Sequence, residues 1–478
     1  MKLHKISLFV LIILSLVSLL SAKDNTVTID VQIKRERQLD SINLQMQEHS
    51  LYNMVALESF LEKLKALEGN QTQKINIVHI GDSHIQADFM TDMLRQRFQS
   101  RFGNAGLGLV FPHSIIRTNT GRHVRFSSNI NWNSHKNTTN TNTDDIGISG
   151  YSLSTQNNDF LLELNLKNKQ YQFNTLKIIT PNNQRFFDLA ISNKQPQIVQ
   201  QEQTKTINHL IKKGETLSVI ANKYKVSVAS IQKDNKLSGT NIKAGSTLKI
   251  VTKTTTEYKV DYSNFQKLEK TSNSYHYYTY ENLDLPEKIY LIPNEKNTNF
   301  ALNGVVLENQ NFGIIYHTIG VNGAKFSDYN KCKMFFEQII ALEPDLIIVS
   351  LGTNEAFDKI TAENFYDQAQ LFMTLTRLYN KSCPMLLTSP PPSYFNKKTP
   401  HNYCADFANT LIDNSKADNY STFDLYRAMG GNESMQRLIN QNLIAKDRVH
   451  YTVEGYQQQG TILFDALMKA YSEYRNLK

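Results

Sequence analysis

The first hydrophobic patterns along the chain switch from helical to strand periodicity. Four apolar residues recur at i, i+3, i+4 and i+7 over 57–64, which predicts an amphipathic helix ending at 69–70. The β-branched run over 75–80 predicts a buried strand, and a helical pattern follows over 88–102. Strand, tight turn and helix together open an α/β unit.

The pattern changes between about 112 and 311. Short alternating segments are separated there by Asn-rich turns, which is typical of a β-sandwich. The predicted strands are Val124–Trp132, Phe160–Leu166, Leu176–Thr180, Phe187–Ile191, Lys288–Pro293 and Ala301–Leu307.

From residue 312 onward strands and helices alternate again. This rhythm predicts a parallel sheet with helices on both faces, so the β region is an insertion in a loop of an α/β domain. The predicted strands are 312–319, 346–350, 385–388 and 423–426, and the predicted helices are 331–341, 363–379 and 454–474.

A further segment, 206–251, lies inside the β region. Its pattern predicts a strand, two short helices and a strand. Polar stretches rich in Thr and Gln flank it at 200–206 and 252–256, and we interpret these as linkers.

The N-terminal residues have the pattern of an export signal. Lys2 and Lys5 precede an apolar run over 6–20, and Ser21-Ala22 follows. This predicts a signal peptide over 1–22 and a protein exported to the periplasm or cell surface. An uncleaved anchor is the alternative, although the run is short for a spanning helix. No later stretch is long and apolar enough to span a membrane. We predict no integral membrane partner.

Composition excludes few classes of function. The net charge is +8, but no basic stripe interleaved with aromatics predicts nucleic-acid binding. A weak positive field could favour an anionic cell wall or simply keep the chain soluble. The spacing of Cys332, Cys383 and Cys404 resembles no metal site, and we expect buried free thiols with no metal or cofactor.

Ser83 occupies a position suited to catalysis. It follows the strand over 75–80, and open α/β sheets bind ligands beyond the carboxyl ends of their strands. The helix start behind it supplies free N–H groups that favour an oxyanion. The alternative is that Ser83 only caps this helix.

A serine nucleophile needs a base and an orienting carboxylate. Asp447 and His450 stand three residues apart just before the last predicted helix, a spacing that lets the carboxylate reach the imidazole within a turn. Taken alone, the pair could equally be a solvated surface contact.

Two Gly-containing turns follow neighbouring predicted strands. Gly320-Val321-Asn322-Gly323 comes after the strand over 312–319, and Gly352-Thr353-Asn354-Glu355 after the strand over 346–350. Both therefore lie on the same sheet edge as Ser83. Glycine permits close backbone approach to a ligand, and an Asn side chain can donate to an oxyanion.

These four blocks resemble the SGNH (GDSL-type) hydrolases, which carry Ser, Gly, Asn and His in this order. The resemblance implies a three-layer α/β/α, flavodoxin-like core. It implies an oxyanion hole made by the N–H groups of Ser83 and Gly323 and the amide of Asn354, with Asp447 orienting His450. We prefer Gly323 to Gly320 for this role.

The first and third blocks depart from the family pattern. His84 replaces the usual Leu, and Glu355 replaces the usual Asp. Neither position carries the nucleophile or an oxyanion donor. His84 either lines the cleft and binds substrate or is a partly exposed turn residue.

The inserted segment resembles a LysM domain along nearly its whole length, from Ile211-Lys212-Lys213-Gly214-Glu215-Thr216-Leu217 to Ala244-Gly245-Ser246-Thr247-Leu248. The family implies a βααβ fold that binds glycans containing N-acetylglucosamine, usually peptidoglycan. The implied groove involves Gly214, Glu215, Thr216, Leu217 and Asn235. A degenerate domain that only spaces its neighbours is the alternative.

The split architecture is similar to that of bacterial peptidoglycan O-acetylesterases. It predicts an exported esterase that removes O-acetyl groups from peptidoglycan or a related glycan. The alternatives are O-acetyl transfer, deacylation of another polysaccharide, or a non-catalytic wall-binding adaptor. The predicted divisions are a signal peptide (1–22), a hydrolase core (41–111 and 312–478), a β-sandwich insertion (112–205 and 257–311) and a LysM domain (206–251).

Overall fold

The computed structural model describes residues 51–70, 72–139, 143–284 and 286–477. The predicted signal peptide and the first ten residues of the predicted core lie outside these ranges. Within them, no helix combines the length and hydropathy that crossing a membrane requires.

The helices lie mainly in the α/β core. In chain order they are α1 (Glu58–Asn70), α2 (Ser83–Gln86), α3 (Phe89–Phe102), α4 (Leu217–Tyr224), α5 (Val228–Asn235), α6 (Phe326–Asn330), α7 (Lys333–Gln338), α8 (Thr353–Phe357), α9 (Ala362–Tyr379), α10 (Asn402–Asn414), α11 (Leu425–Ala428), α12 (Met435–Asn440) and α13 (Val453–Leu477).

The strands belong to both the core and the insertion. In chain order they are β1 (Leu51–Tyr52), β2 (Lys74–Gly81), β3 (Asn104–Val110), β4 (Val124–Ser128), β5 (Asn133–Lys136), β6 (Tyr151–Thr155), β7 (Leu162–Leu166), β8 (Thr175–Ile179), β9 (Phe187–Ile191), β10 (Ile198–Leu210), β11 (Thr247–Val260), β12 (Gln266–Lys267), β13 (Ser272–Asn273), β14 (Tyr278–Tyr280), β15 (Lys288–Pro293), β16 (Phe300–Leu302), β17 (Gly304–Glu308), β18 (Gly313–Gly320), β19 (Leu346–Ser350), β20 (Met385–Thr388), β21 (Tyr394–Phe395), β22 (Thr399–Pro400) and β23 (Ser421–Phe423).

An 11-stranded sheet organises the fold, in the order β1-β23-β20-β19-β2-β18-β3-β17-β8-β14-β13. The strands from β23 to β3 run parallel. Five of them, β2, β18, β19, β20 and β23, have the order 2-1-3-4-5 when they are numbered along the chain, which is the flavodoxin-like order. The carboxyl ends of these strands therefore meet along one edge.

Apolar side chains leave the two faces of this sheet alternately, as strand geometry requires. Ile75 and Ile77 of β2 pack against α1, α3 and α13 on one face. Val78 and Ile80 pack into the opposite core, which contains α9, α10 and the apolar side chains of the insertion. The arrangement is an α/β fold with helices on both faces.

The sheet is mixed, which corrects the prediction of a parallel sheet next to a separate β-sandwich. The insertion strand β17 pairs antiparallel with β3, and β8, β14 and β13 continue the same sheet outward. Strand β3 otherwise presents an unpaired edge, and β17 satisfies its backbone groups. The rest of the insertion forms a five-stranded sheet, β12-β9-β15-β7-β4, and a three-stranded sheet, β16-β6-β5.

The segments predicted as linkers are paired strands instead. Strands β10 and β11 form an antiparallel ribbon that runs from the Ile198–Val260 pair to the Leu210–Thr247 pair. Thr-rich polar sequence suits such a ribbon because Thr has a high preference for strands. At its tip, α4 and α5 pack on the ribbon around a small core that includes Leu217, Ile220 and Ile250, which completes a βααβ unit.

Most predicted elements are present, with local differences. The predicted strand 423–426 is wrong in part, because β23 ends at Phe423 and Asp424 then caps the helical turn α11 by accepting from the Arg427 N–H. Strand β3 and helix α10 were not predicted. Cys332 and Cys404 are buried and Cys383 is partly buried, and all three are free thiols.

Candidate active site

The four motif blocks converge at the carboxyl edge of the central sheet. Ser83 follows β2, Gly323 follows β18 and Asn354 follows β19, and these strands are neighbours. An open cleft of about 540 Å³ lies above them, lined by Ser83, Ala87, Phe89, Asn119, Asn322, Gly323, Thr353, Asn354, Val449, His450, Tyr451 and Tyr456.

Ser83 is the first residue of α2 and is not its cap. The N-cap is Asp82, whose carboxylate accepts a hydrogen bond from the His84 N–H at 2.9 Å. The Ser83 hydroxyl is therefore not needed to cap the start of the helix. It donates to Nε2 of His450 at 2.8 Å. As the first helical residue, Ser83 also has a backbone N–H without an intrahelical acceptor.

His450 is held between Ser83 and Asp447. Its Nδ1 lies 2.8 Å from Oδ2 of Asp447, while the other carboxylate oxygen accepts the N–H groups of Val449 and His450 at 2.9 Å each. When Nδ1–H donates to the carboxylate, Nε2 carries a lone pair and can accept the Ser83 proton. The same turn is anchored by Tyr451, whose hydroxyl donates to the Pro392 carbonyl at 2.7 Å.

The Asp447 carboxylate is kept ionised by its hydrogen bonds. Partial burial acts to raise its pKa, but the N–H of Val449 and the contacts with His450 outweigh that effect and hold the pKa below its ordinary value. The side chains of His450 and Asp447 are 42% and 48% exposed, so both remain open to solvent.

The two candidate glycines have different surroundings. Gly323 has φ +84°, with no atom within 4 Å of where a Cβ would stand, and no turn or cap hydrogen bond of the described residues uses its N–H. Gly320 ends β18, and a Cβ there would come within 2.2 Å of the Gln86 backbone nitrogen. Gly320 thus allows close packing of β18 on α2, whereas Gly323 faces the cleft.

Asn354 is held by a buried carboxylate. Its Nδ2 donates to Oδ2 of Asp82 at 3.1 Å and to the Ala324 carbonyl at 3.0 Å. Burial raises the pKa of Asp82 to about 7, and the hydrogen bond from the His84 N–H offsets this only in part. Asp82 was not singled out from the sequence, although it lies within the first block.

Glu355, the departure in the third block, has a structural position. Its carboxylate accepts the Phe326 N–H at 2.8 Å and so joins α8 to the start of α6. Burial raises its pKa to about 8. The side chain does not line the cleft.

His84 differs from both expectations, because it neither lines the cleft nor lies exposed. It is only 5% exposed, and its ring stacks beneath that of His450 with the centroids 5.3 Å apart. Its Nδ1 lies 3.0 Å from the Tyr456 hydroxyl, and burial lowers its pKa to about 3. His84 is therefore a neutral imidazole that packs against the ring of His450. The prediction that it lines the cleft is wrong.

Three of the residues that were predicted to contact a glycan make contacts within the LysM domain instead. Leu217 is buried in the small core. Asn235 bonds the Ile231 carbonyl and both backbone groups of Lys249, so its amide ties α5 to β11. Glu215 accepts from the Lys212 N–H and contacts His209.

The two remaining positions, Gly214 and Thr216, are exposed. They lie at the turn before α4, where Thr216 caps the helix through the Val219 N–H. Of the five predicted glycan contacts, these two positions are therefore the exposed ones.

Several residues that line the cleft were missed by the sequence analysis. Phe89 and Tyr456 form an aromatic wall with their ring centroids 6.2 Å apart, and Asn119 reaches the cleft from the insertion. Nothing in the four blocks signals these positions, since they depend on how the insertion and α13 pack against α2.

One cluster outside the cleft has the composition of a metal site. Ligand atoms of Asp88, Asp92 and His123 lie within 4.8 Å of one another. Arg95 already forms ion pairs with Asp88 at 2.9 Å and with Asp92 at 3.0 Å, so a buried guanidinium balances their charge. This chemistry does not favour an additional cation.

Two family models match this chain. Residues 209–251 match the LysM domain, and residues 292–463 match the GDSL-like lipase/acylhydrolase family. The second range includes Gly323, Asn354, Asp447 and His450 but not Ser83, so the place of Ser83 in the site rests on geometry. No curated protein matches the chain.

Solved structures match this chain at low sequence identity, and one of them shares its fold over most of its length. A peptidoglycan O-acetylesterase matches with 19% identity over 87% of this chain and 96% of that chain, at a TM-score of 0.55. A lipase/acylhydrolase from Enterococcus faecalis has 18% identity over 33% of this chain and 77% of its own, at a TM-score of 0.27. A member of the lipolytic protein G-D-S-L family from Veillonella parvula has 12% identity over 33% and 81%, at a TM-score of 0.27.

Proposed function

We propose that this chain, an esterase with a GDSL-like acylhydrolase domain and a LysM domain, removes O-acetyl groups from peptidoglycan or a related cell-envelope glycan. The observation that carries the proposal is the hydrogen-bonded series Ser83–His450–Asp447 at the floor of an open cleft. The LysM domain and the fold shared with a peptidoglycan O-acetylesterase support the choice of substrate.

The proposed reaction begins with attack by Ser83. His450 Nε2 takes the hydroxyl proton while Oγ bonds to the acetyl carbonyl carbon, and the carbonyl oxygen becomes an oxyanion. His450 then gives the proton to the departing sugar oxygen, which leaves an acetylated Ser83. A water molecule that is deprotonated by His450 attacks this ester. Acetate is released and Ser83 is regenerated. Asp447 stabilises the imidazolium in both steps.

Three donors are proposed to stabilise the oxyanion. The N–H groups of Ser83 and Gly323 are not used by helix or turn hydrogen bonds, and Asn354 adds a side-chain amide. The Asp82 carboxylate fixes the Asn354 amide at the cleft. An oxyanion would compete with the neutral Ala324 carbonyl for its other N–H, and the negative charge makes it the stronger acceptor.

Replacing Asn354 with alanine is expected to lower kcat by about 100- to 1,000-fold, because one oxyanion donor is lost from the transition state. The rate of p-nitrophenyl acetate hydrolysis measures this effect. Asn364→Ala, an exposed change on α9, is the matched control and should retain full activity. An unchanged kcat for Asn354→Ala would remove this residue from the oxyanion hole.

Hydrolysis is favoured over acetyl transfer by the exposure of the site. A transferase must keep water from its acyl-enzyme. Here the side chains of His450 and Asp447 are close to half exposed, and the cleft above Ser83 is open. Water therefore has direct access to an acetylated Ser83.

The substrate is tested by comparing acetate release from O-acetylated peptidoglycan and from acetylated xylan. We expect faster release from peptidoglycan. Equal or faster release from xylan would contradict the proposed substrate while leaving the esterase chemistry intact. Added unacetylated glycan provides a second readout, since transfer would produce newly acetylated acceptor in place of free acetate.

The proposed role of the LysM domain is to hold the esterase on its polymeric substrate. Lys205 and Thr252 are direct cross-strand partners in the β10–β11 ribbon. Residues 206–251 can therefore be replaced by an Asn-Gly hairpin turn, which preserves the register of the remaining ribbon.

This deletion is expected to weaken binding to insoluble peptidoglycan by roughly tenfold or more, because the second binding module is lost. Co-sedimentation with purified peptidoglycan measures binding. Hydrolysis of p-nitrophenyl acetate should be unchanged, since no residue of 206–251 lines the cleft. Equal sedimentation of the deleted and full chains would refute the targeting role.

The proposed place of action is the cell envelope, at the cell surface or in the periplasm. The LysM domain and the nature of the substrate support this placement. Export through the segment 1–22 stays a prediction, and so do the predicted domain boundaries.

A further inference from the structure

A loop of the insertion, residues 113–122 (the cleft loop), reaches the cleft through Asn119. Gln86 fixes this cleft loop by donating from Nε2 to Oγ1 of Thr118 at 2.9 Å and to the Asn119 carbonyl at 3.1 Å. Asn322, beside Gly323, donates to the same Thr118 hydroxyl at 3.2 Å. The cleft loop is thus hydrogen-bonded to the elements that carry the candidate nucleophile and oxyanion donors.

Arg122, at the end of the cleft loop, lies over an aromatic ring of the cleft. Its guanidinium carbon is 4.3 Å from the centroid of Phe89, which in turn stacks on Tyr456. The side chain is exposed, and no carboxylate of the described residues forms an ion pair with it. Stacking restrains the planar guanidinium and leaves its N–H edge available for a bidentate acceptor.

Three acidic groups in or beside the cleft are already paired. Asp88, beside the cleft residue Phe89, pairs with the buried Arg95 at 2.9 Å. Asp358, at the end of α8, pairs with Lys325 at 2.6 Å. The Asp447 carboxylate is occupied by His450.

Basic groups near the cleft are not neutralised in this way. Arg117 of the cleft loop is exposed, Arg448 lies in the turn that carries His450, and Lys136 donates to the neutral Asn322 carbonyl at 3.1 Å. None of the three forms an ion pair within the described chain. One acid near the cleft, the exposed Glu454 of α13, also has no ion pair among the described residues. These three cations and Arg122 outnumber it, so the net charge at the rim is positive, which attracts an anionic ligand.

We propose that Arg122 binds a carboxylate carried by the glycan strand beside the acetylated sugar, and so selects acidic acetylated glycans over neutral ones. The inference rests on the proposed function. A carboxylate matches the paired N–H geometry of a guanidinium, whereas a neutral acetylated polysaccharide offers no such group. In peptidoglycan the carboxylate is either that of the stem peptide or that of the lactyl group to which the peptide is attached.

The test compares Arg122→Gln with Arg125→Gln. Arg125 is an exposed arginine three residues further along, on β4, and it does not stack on Phe89 as Arg122 does. Three acetylated glycans are used: soluble peptidoglycan strands with stem peptides, the same strands after an amidase has freed the lactyl carboxylates, and neutral acetylated xylan. p-Nitrophenyl acetate reports the chemistry alone.

For Arg122→Gln we expect kcat/KM to fall about tenfold on an acidic strand, since hydrogen bonds to charged groups have effects of this size. Hydrolysis of acetylated xylan and p-nitrophenyl acetate should change less than about twofold, as should every substrate with Arg125→Gln. A loss only on strands with peptides identifies the peptide carboxylate, and a loss only on the amidase-treated strands identifies the lactyl carboxylate. A loss on both acidic strands shows that Arg122 accepts either carboxylate. Each of these results supports the proposal.

Two further measurements separate recognition from a structural role. Arg122→Lys should recover part of the loss, because the charge returns without the fork. The preference of the unaltered chain for acidic strands should shrink in 0.5 M NaCl. At that salt concentration the Debye length is only roughly a few Å, so the attraction between exposed charges is largely screened.

Two outcomes would overturn the inference. Equal kcat/KM for Arg122→Gln and Arg125→Gln on acidic strands would show that Arg122 binds no carboxylate. An equal loss on all substrates, including p-nitrophenyl acetate, would show that it only supports the fold of the cleft. By contrast, hydrolysis of p-nitrophenyl acetate but of no acetylated glycan by the unaltered chain would overturn the proposed function itself.

Discussion

Replacing Ser83 with alanine is expected to lower kcat for p-nitrophenyl acetate by about a million-fold, to the level of catalysis left when a nucleophile is removed. The reason is that His450 then has no hydroxyl to deprotonate and no acetyl-enzyme can form. Alanine should leave the fold intact, because Asp82 and not Ser83 caps α2. Steady-state rates with a fresh preparation, free of unaltered enzyme, measure the effect.

Ser100→Ala provides the matched control for Ser83→Ala. Ser100 is exposed on α3, the helix that follows α2, and its removal should leave kcat unchanged. Circular dichroism should show the same thermal midpoint for the two variants within a few degrees. Full hydrolysis by the Ser83 variant would end the nucleophile assignment, and with it the proposed covalent mechanism.

Replacing Asp447 with asparagine is expected to lower kcat by about a thousand- to ten-thousand-fold. The amide oxygen can still accept the N–H groups of Val449 and His450, so the turn is kept. The amide NH₂ then faces Nδ1 of His450 and favours the tautomer with the proton on Nε2. That nitrogen can no longer accept the Ser83 proton.

The same rate measurement, made against Asp465→Asn, tests this prediction. Asp465 is an exposed acid on α13 that contacts Arg97, so its change removes a similar charge away from the cleft. A loss smaller than about tenfold for Asp447→Asn would show that solvent alone can orient His450, an outcome that conflicts with the triad model. The Asp447 change should add nothing in the Ser83→Ala background, because the two residues act as a unit.

The sequence predicted much of the core because its signals are local. The β-branched run of β2 and the apolar spacing of α1 and α9 each depend on contacts within a few residues. The position of three of the four blocks follows from one topological rule, that parallel neighbouring strands end on the same edge. Ser83, Gly323 and Asn354 were placed together in this way, whereas the Asp447–His450 pair was identified from its three-residue spacing and from the family resemblance.

Long-range strand pairing could not be predicted in the same way. The antiparallel contact of β17 with β3 joins residues almost 200 positions apart, and each strand looks like an ordinary sandwich strand in isolation. The polar segments of the β10–β11 ribbon carry no apolar face, so they resembled linkers until each was seen to pair with the other.

The chemistry of individual side chains also depended on their surroundings. His84 differs from its expected role because it is buried against Tyr456, which is 372 residues away in the sequence. The Tyr456 hydroxyl and Nδ1 of His84 share a hydrogen bond. Leu217 and Asn235 lie on the two segments that the LysM resemblance assigns to a binding groove. Leu217 instead fills the LysM core, and Asn235 joins α5 to β11.

The sequence by itself determined the elements of the core, the candidate triad, the LysM unit and the class of chemistry. Those features are encoded in hydrophobic periodicity and in short blocks whose residues are close along the chain. Only the tertiary structure decided the mixed sheet, the burial of His84 and the stacking of Arg122 on Phe89. Each of these depends on which distant segments pack together, and packing is a property of the whole fold that no local pattern specifies.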